Sequence, residues 1–140
     1  MKVIMRILGL DIGDKRIGVA LSDPGGILAS PLTIINRQDD KTDIEAILEI
    51  VSQNQVGKIV VGLPLSMNGK AGKQAERVKD FTRELCRYTD IPVELRDERL
   101  STVSARRMMR EGNNRRTGKK PRYDAAAAAI ILQGYLDEEH

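Results

Sequence analysis

Ile7-Leu8-Gly9-Leu10-Asp11-Ile12-Gly13-Asp14-Lys15-Arg16-Ile17-Gly18-Val19-Ala20 is an apolar run, a polar turn and a second apolar run. Residues 3–11 read as a buried strand. Asp11 to Asp14 is a turn in which Gly13 is free to take unusual backbone angles. Residues 16–22 alternate well enough for a second strand returning as a hairpin. Asp23-Pro24-Gly25-Gly26 is another turn, and residues 27–35 a third strand, with Pro31 marking an edge or a bulge. From about Asp39 to Gln55 the period becomes helical: Ile44, Ile47, Leu48 and Val51 share one face. Residues 58–62 form a short apolar strand. A helix over about 71–88 follows, with Ala75, Val78, Phe81 and Leu85 facing inward and Cys86 a further candidate for that face. Pro92 opens a strand running to Glu98. Ser101 is a fitting N-cap for a helix through Arg110, with Gly112 at its end. Residues 113–121 are a basic loop, and the last helix spans about 123–136. The order βββ-α-β-α-β-α-α predicts an α/β fold: a meander of three strands, extended by two parallel strands, in a mixed five-stranded sheet with helices on both faces.

Three acids stand at the ends of separate elements. Asp11 ends the first strand, Glu98 ends the last, and Asp124 opens the alanine-rich helix. In open α/β sheets ligands gather at the carboxyl ends of strands, where Asp11 and Glu98 lie. Converging carboxylates repel unless a cation joins them, and hard oxygen donors suit Mg²⁺ or Mn²⁺. Such a centre does phosphodiester chemistry. Two metals about 4 Å apart activate a water and stabilise a leaving oxygen. The one histidine, His140, is the last residue, so a histidine base is not expected. Each acid has a plainer role as well. Asp-x-Gly is a turn former, and Asp14 is the better turn acid. Glu98 competes with Glu94 and Asp97, Asp97 being its nearest substitute; it can also pair with Arg96 or Arg99. Alternation puts Glu94, Arg96 and Glu98 on one face and Asp97 on the other. Asp124 is also a good helix cap, a role compatible with metal binding.

The 140 residues suit one domain over 1–140, with 41% hydrophobic and 31% charged residues. No apolar stretch is long enough for a membrane span, and the N-terminal run reads as a strand rather than a signal peptide. The single cysteine, Cys86, excludes an internal disulfide and a cysteine-built zinc site, and makes a reducing cytoplasm the expected compartment. Net charge is +3, but residues 99–122 hold nine Lys or Arg against one acid, Glu111. A basic segment beside an acidic centre is what an enzyme cutting a polyanion needs. Arg106 and Arg110, four apart, share a helix face. Arg99, Arg106, Arg110, Lys119 and Lys120 are expected to bind nucleic acid, with Lys15 and Arg16 on the first turn. Ser66 and Asn68 are further phosphate-contact candidates on a flanking loop. Met108 and Met109 read as packing residues. Four aromatics, Phe81, Tyr88, Tyr123 and Tyr135, are too few for a base-stacking platform, so recognition should be of the backbone.

Four segments carry a resemblance: residues 9–20, Val60-Val61-Gly62-Leu63-Pro64-Leu65-Ser66-Met67-Asn68-Gly69, Asp97-Glu98-Arg99-Leu100-Ser101-Thr102 and Asp124-Ala125-Ala126-Ala127. In this order they resemble the YqgF/RuvX family, pre-16S rRNA nucleases by name and relatives of the RuvC Holliday junction resolvases. The resemblance spans nearly the whole chain. It implies a ribonuclease H-like fold and Asp11, Glu98 and Asp124 as catalytic metal ligands. It also implies a substrate at the 5′ end of the small-subunit rRNA precursor, with ribosomal particles as partners. Four-way DNA junctions are the alternative substrate.

Two other classes fit parts of the sequence. Asp11-x-Gly13 also resembles the phosphate loop of the actin, Hsp70 and sugar-kinase superfamily, but one domain offers only half of that clamp. A non-catalytic RNA-binding assembly factor would use the basic segment and leave the three acids unexplained. The stretch from Gly62 to Lys70 has the wrong glycine spacing for a Walker loop.

Overall fold

The hairpin expected from residues 7–20 is present in the computed structural model, which describes residues 5–65, 71–98 and 125–139. Strand β1 (Arg6–Ile12) pairs antiparallel with β2 (Arg16–Ser22), setting Asp11 opposite Gly18. β2 pairs antiparallel with β3 (Ala29–Asn36), whose register shifts where Pro31 faces Ala20. Pro31 has no amide to give a neighbour, so an edge strand with a bulge accommodates it. β3 starts two residues later than expected. The Asp23 carboxylate accepts the amides of Gly25, Ile27 and Leu28, holding that stretch as a loop.

Helix α1 (Asp40–Gln53) starts at Asp39, whose carboxylate accepts the Thr42 amide at 2.8 Å. Strand β4 (Val56–Leu63) lies parallel to β1 and is longer at both ends than the apolar run alone indicated. Helix α2 (Lys73–Cys86) then crosses to β5 (Val93–Asp97), parallel to β4. Helix α3 (Ala126–Glu139) closes the described chain. The sheet order is β3-β2-β1-β4-β5, a mixed five-stranded sheet as expected. The helix expected over 101–110 and the basic loop after it lie outside the described residues.

Alternation sorts the strands onto two cores. Leu8, Leu10, Ile12, Ile17, Val19, Ile59 and Val61 face α1 and α2, meeting Ile44, Ile47, Val51, Val78, Phe81 and Leu85. Ala20 and Val60 face the other way, onto Ala128, Ile131, Leu132, Tyr135 and Leu136 of α3. Helices therefore cover both faces. Cys86, considered for the inner face of α2, is exposed. It is one residue past the buried Leu85, a rotation of about 100° on a helix. On the α3 side the sheet is lined with small residues that let the helix come close. At Gly9 an added Cβ would sit 2.8 Å from the Leu132 Cβ and 3.1 Å from the Ala128 carbonyl oxygen.

The far end of α3 is tied to β5 by charge. Arg96 is 5% exposed, and its Nη1 donates to Glu138 Oε1 at 2.5 Å. That bond holds the Glu138 carboxyl below its ordinary value of 4.5. Its stabilisation is present above that ordinary value and fades as pH falls through the lowered one. A buried guanidinium stripped of its partner is costly, whereas removing both charges is often neutral. Glu138→Gln is therefore expected to lower the melting temperature by several degrees at neutral pH. Arg96→Met with Glu138→Gln should recover most of the loss in the same thermal scan. A single mutant that melts like wild type would show the pair contributes nothing.

Candidate active site

Asp11 is the penultimate residue of β1, and its place on the strand turns it toward the α3 face, in line with Gly9. Its cross-strand neighbour Gly18 is the point where three elements meet. A Cβ there would lie 3.7 Å from the Asp11 Cβ, 3.6 Å from the Ala125 Cα and 3.6 Å from the Ala128 Cβ. The start of α3 thus lies against the strand pair that carries Asp11. Asp124 immediately precedes Ala125 in sequence and itself lies outside the described residues.

Glu98 follows directly on β5, and its side chain folds back over the neighbouring strand β4. Gly62 makes that path open. An added Cβ would meet Glu98 Oε1 at 2.9 Å, Glu98 Cγ at 3.1 Å and the Ile131 Cδ1 at 2.5 Å. Leu10 of β1 pairs with Val61, so Gly62 is the β4 residue level with Asp11. Glu98 therefore reaches toward Asp11 across a strand that has no side chain at the crossing point.

The electrostatics report the same approach. Both carboxylates are half-buried. Burial pushes the Asp11 carboxyl up. Glu98 is pushed up to about 7, by burial first, then by the charges of Asp11 and Asp97. Two desolvated carboxylates, one of them raised further by the other's charge, are poorly stabilised as anions by the protein alone. Their donor chemistry fits a hard divalent cation, which would reverse both penalties. Among the described residues no three His, Cys, Asp or Glu side chains gather as a metal cluster. The third expected ligand, Asp124, falls outside them.

The competing acids separate from this pair. Asp14 is exposed and pairs with Arg77 at 3.1 Å, the surface turn role expected of it. Glu94 pairs with Lys58 at 2.8 Å. Asp97 is close enough to add its charge to Glu98. Lys15 is exposed on the β1–β2 turn, and the half-buried Arg16 begins β2, at the same end of the sheet as Asp11. Arg99, Arg106, Arg110, Lys119 and Lys120, with Ser66 and Asn68, lie outside the described residues. Gly18 and Gly62 went unnoticed in the sequence as parts of the site. Alternation from Ala20 and from Val60 would have put both on the α3 face.

A pH dependence follows with a definite sign. Glu98 holds its proton in the folded protein up to about 7 and in the unfolded chain only to its ordinary 4.5. The metal-free fold is thus expected to lose stability as pH rises across that window. A cation must displace the proton, so Mn²⁺ affinity should rise about tenfold per pH unit below 7 and level off above. Calorimetric titrations a full unit either side of neutrality measure this. Affinity indifferent to pH would show that Glu98 is no ligand.

The RuvX family model, described as a Holliday junction resolvase, matches residues 5–138. A protein of Carboxydothermus hydrogenoformans named "Putative pre-16S rRNA nuclease" is 48% identical over 133 residues, 95% of this chain and 96% of its own. One of the same name from Moorella thermoacetica is 49% identical over 133 residues, 95% of each chain. Among solved structures, T. thermophilus RuvC in complex with a Holliday junction substrate matches with a TM-score of 0.66 at 10% identity, over 96% of this chain and 95% of that one. The fowlpox virus resolvase in complex with Holliday junction DNA matches with a TM-score of 0.58 at 14% identity, over 96% and 99%. At such low identity the likeness is one of fold, and the fold is the ribonuclease H-like one of the resolvases.

Proposed function

This chain belongs to the RuvX family, and from that membership and the site geometry we propose a metal-dependent nuclease that processes the 5′ end of the small-subunit rRNA precursor. The observation that carries the proposal is the Glu98 carboxylate lying in the space left by Gly62, near enough to Asp11 for that charge to raise its proton affinity. The relatives' shared name supports an rRNA precursor as substrate. The RuvC and fowlpox complexes supply branched DNA as the alternative to be tested.

Asp11, Glu98 and Asp124 would hold Mg²⁺ or Mn²⁺. Bound there, the metal supplies an acidified water and stabilises charge on the phosphodiester oxygens. The rest is the work of the chain. Asp11 is fixed by the β1–β2 ladder, and Glu98 by the gap at Gly62. Near neutral pH the Glu98 carboxyl, pushed up to about 7, is protonated in part of the population and would give up that proton to a bound cation. Lys15 on its exposed turn, Arg16 beside it and the basic residues Arg99, Arg106, Arg110, Lys119 and Lys120 neutralise substrate phosphates. Recognition through phosphate makes binding fall steeply with salt and leaves sequence choice to the shape of the precursor. Residues 1–140 act as one nuclease domain in the cytoplasm. Among the described residues no helix is long and apolar enough to cross a membrane.

The test offers purified protein a 5′-extended small-subunit rRNA precursor and a synthetic four-way DNA junction, each with Mn²⁺ and each with EDTA. Metal-dependent shortening of the RNA is expected. Cleavage of the junction alone would move the protein to the resolvases. Binding without cleavage, with ribosomal particles supplied as well, would make it an assembly factor.

A further inference from the structure

The turn that follows Asp11 and Ile12 is thinly built. The last paired residues of the hairpin are Ile12 and Ile17, and one further bond, from the Gly13 amide to the Arg16 carbonyl at 2.9 Å, closes it. Gly13 brings no side chain to pack, and a Cβ there would sit 2.8 Å from the Arg16 carbonyl oxygen. On the face opposite α3, a cavity of about 370 Å³ lies beneath the turn, lined among others by Ile12, Gly13, Arg37, Gln74 and Phe81. With so little packing under it, the turn depends on polar contacts for its position.

Those contacts converge on one side chain. The Arg37 Nη1 donates to the Gly13 carbonyl at 2.8 Å. Its Nε donates at 2.8 Å to Asp43, whose side chain is 1% exposed, and its Nη2 donates to Asp40 at 3.0 Å. Its guanidinium lies over the Phe81 ring, 5.1 Å from the centroid. The backbone of the same residue helps: the Arg37 amide donates to the Lys15 carbonyl at 2.9 Å. Gln74 adds a second strut, its Nε2 donating to the Ile12 carbonyl at 3.1 Å. The planar fork of a guanidinium serves three well-separated acceptors in fixed directions, whereas the three donors of an ammonium crowd on one rotating nitrogen. The buried Asp43 keeps the fork in place, since neither charge can leave without stranding the other.

We propose that Arg37 is a positioning residue. Anchored on Asp43, it fixes the turn at the end of the Asp11-bearing strand from the side of the sheet away from substrate, with Gln74 as its lesser partner. The inference deepens the proposed function and rests on it. Arg37 contacts the backbone of the turn and not the Asp11 carboxylate, so its effect is on where that carboxylate stands. Outer partners of this kind typically change metal affinity by about 10–100-fold.

Arg37→Lys keeps a cation opposite Asp43 and loses the fork. It is compared with wild type, with Gln74→Leu, which strands no charge, and with Asp40→Asn, which loses only an exposed pair. Two readouts are taken well below melting: amide hydrogen exchange at Gly13 and Arg37, and Mn²⁺ affinity by calorimetry. Arg37→Lys is expected to speed exchange at these amides about tenfold and weaken Mn²⁺ about tenfold. Gln74→Leu should do the same to a smaller degree, and Asp40→Asn should do neither. Should Arg37→Lys fail to fold, Gln74→Leu carries the test. Unchanged exchange in the folded variants overturns the proposal, as does faster exchange with unchanged Mn²⁺ affinity. Wild-type protein that takes up no Mn²⁺ overturns the proposed nuclease instead, and exchange alone then decides whether Arg37 fixes the turn.

Discussion

Asp11→Asn protein is expected to bind RNA as wild type does and to cut it at least ~10³-fold more slowly, the loss of several kcal/mol of charge stabilisation. The carboxamide has the shape of the carboxylate, so β1, its pairing with Gly18 and the approach of α3 should survive. What goes is a negatively charged oxygen donor. Two further changes distinguish this from a folding defect. The charge of Asp11 helps push Glu98 up to about 7, so the substitution should bring Glu98 back toward its ordinary value. Removing a desolvated like charge should also leave the metal-free protein no less stable at neutral pH. Cleavage rate, RNA retention and a thermal scan on one preparation read all of this. Cleavage at the wild-type rate would remove Asp11 from the centre. Loss of RNA binding together with loss of folding would show that Asp11 is structural.

Gly62→Ala should damage activity less than Asp11→Asn and, unlike it, should cost the fold something. Its added methyl meets two neighbours of different kinds. The Ile131 Cδ1, 2.5 Å away, is the end of a flexible side chain and can turn aside. Overpacking of this sort costs about 1–3 kcal/mol. The Glu98 Oε1 and Cγ, 2.9 and 3.1 Å away, have to leave the place that brings them toward Asp11. Misplacing a reacting group by about 1 Å can cost 10²-fold, and a loss of that order is expected in kcat, together with weaker Mn²⁺ binding. Among the described glycines only Gly26 has positive φ, so backbone strain plays no part. Gly18→Ala is the control: its Cβ would find neighbours at 3.6 Å and 3.7 Å, ordinary contact distances, and should be tolerated. Full activity in Gly62→Ala would mean that Glu98 does not work from this position.

Much of this architecture was legible because alternation is a local signal. Residues 7–20 predicted the hairpin, and the same parity put Glu94, Arg96 and Glu98 on one side of β5. Lys58 and Tyr135 meet beside Glu94, and Glu138 pairs with Arg96 on that side. The meander followed by parallel strands came from the order of elements. Other features need a partner that is distant in sequence. Gly62 has meaning only once Ile131 and Glu98 are placed around it. Arg37 looks like a surface residue beside local acids until Gly13, 24 positions away, accepts its hydrogen bond. Cys86 and the start of β3 were missed for smaller reasons, one helix step and one aspartate-bonded loop. The basic segment and Asp124 were read from charge and resemblance alone and lie outside the described residues.

The most direct test of the centre is a calorimetric titration of Mn²⁺ into metal-free wild type, Asp11→Asn, Glu98→Gln and Asp124→Asn at neutral pH. Saturable binding in wild type, weakened by about tenfold or more in each variant, is expected if the three carboxylates form one site. Wild type that binds no Mn²⁺, or three variants that bind it as tightly as wild type, would contradict the carboxylate metal centre on which the nuclease assignment stands.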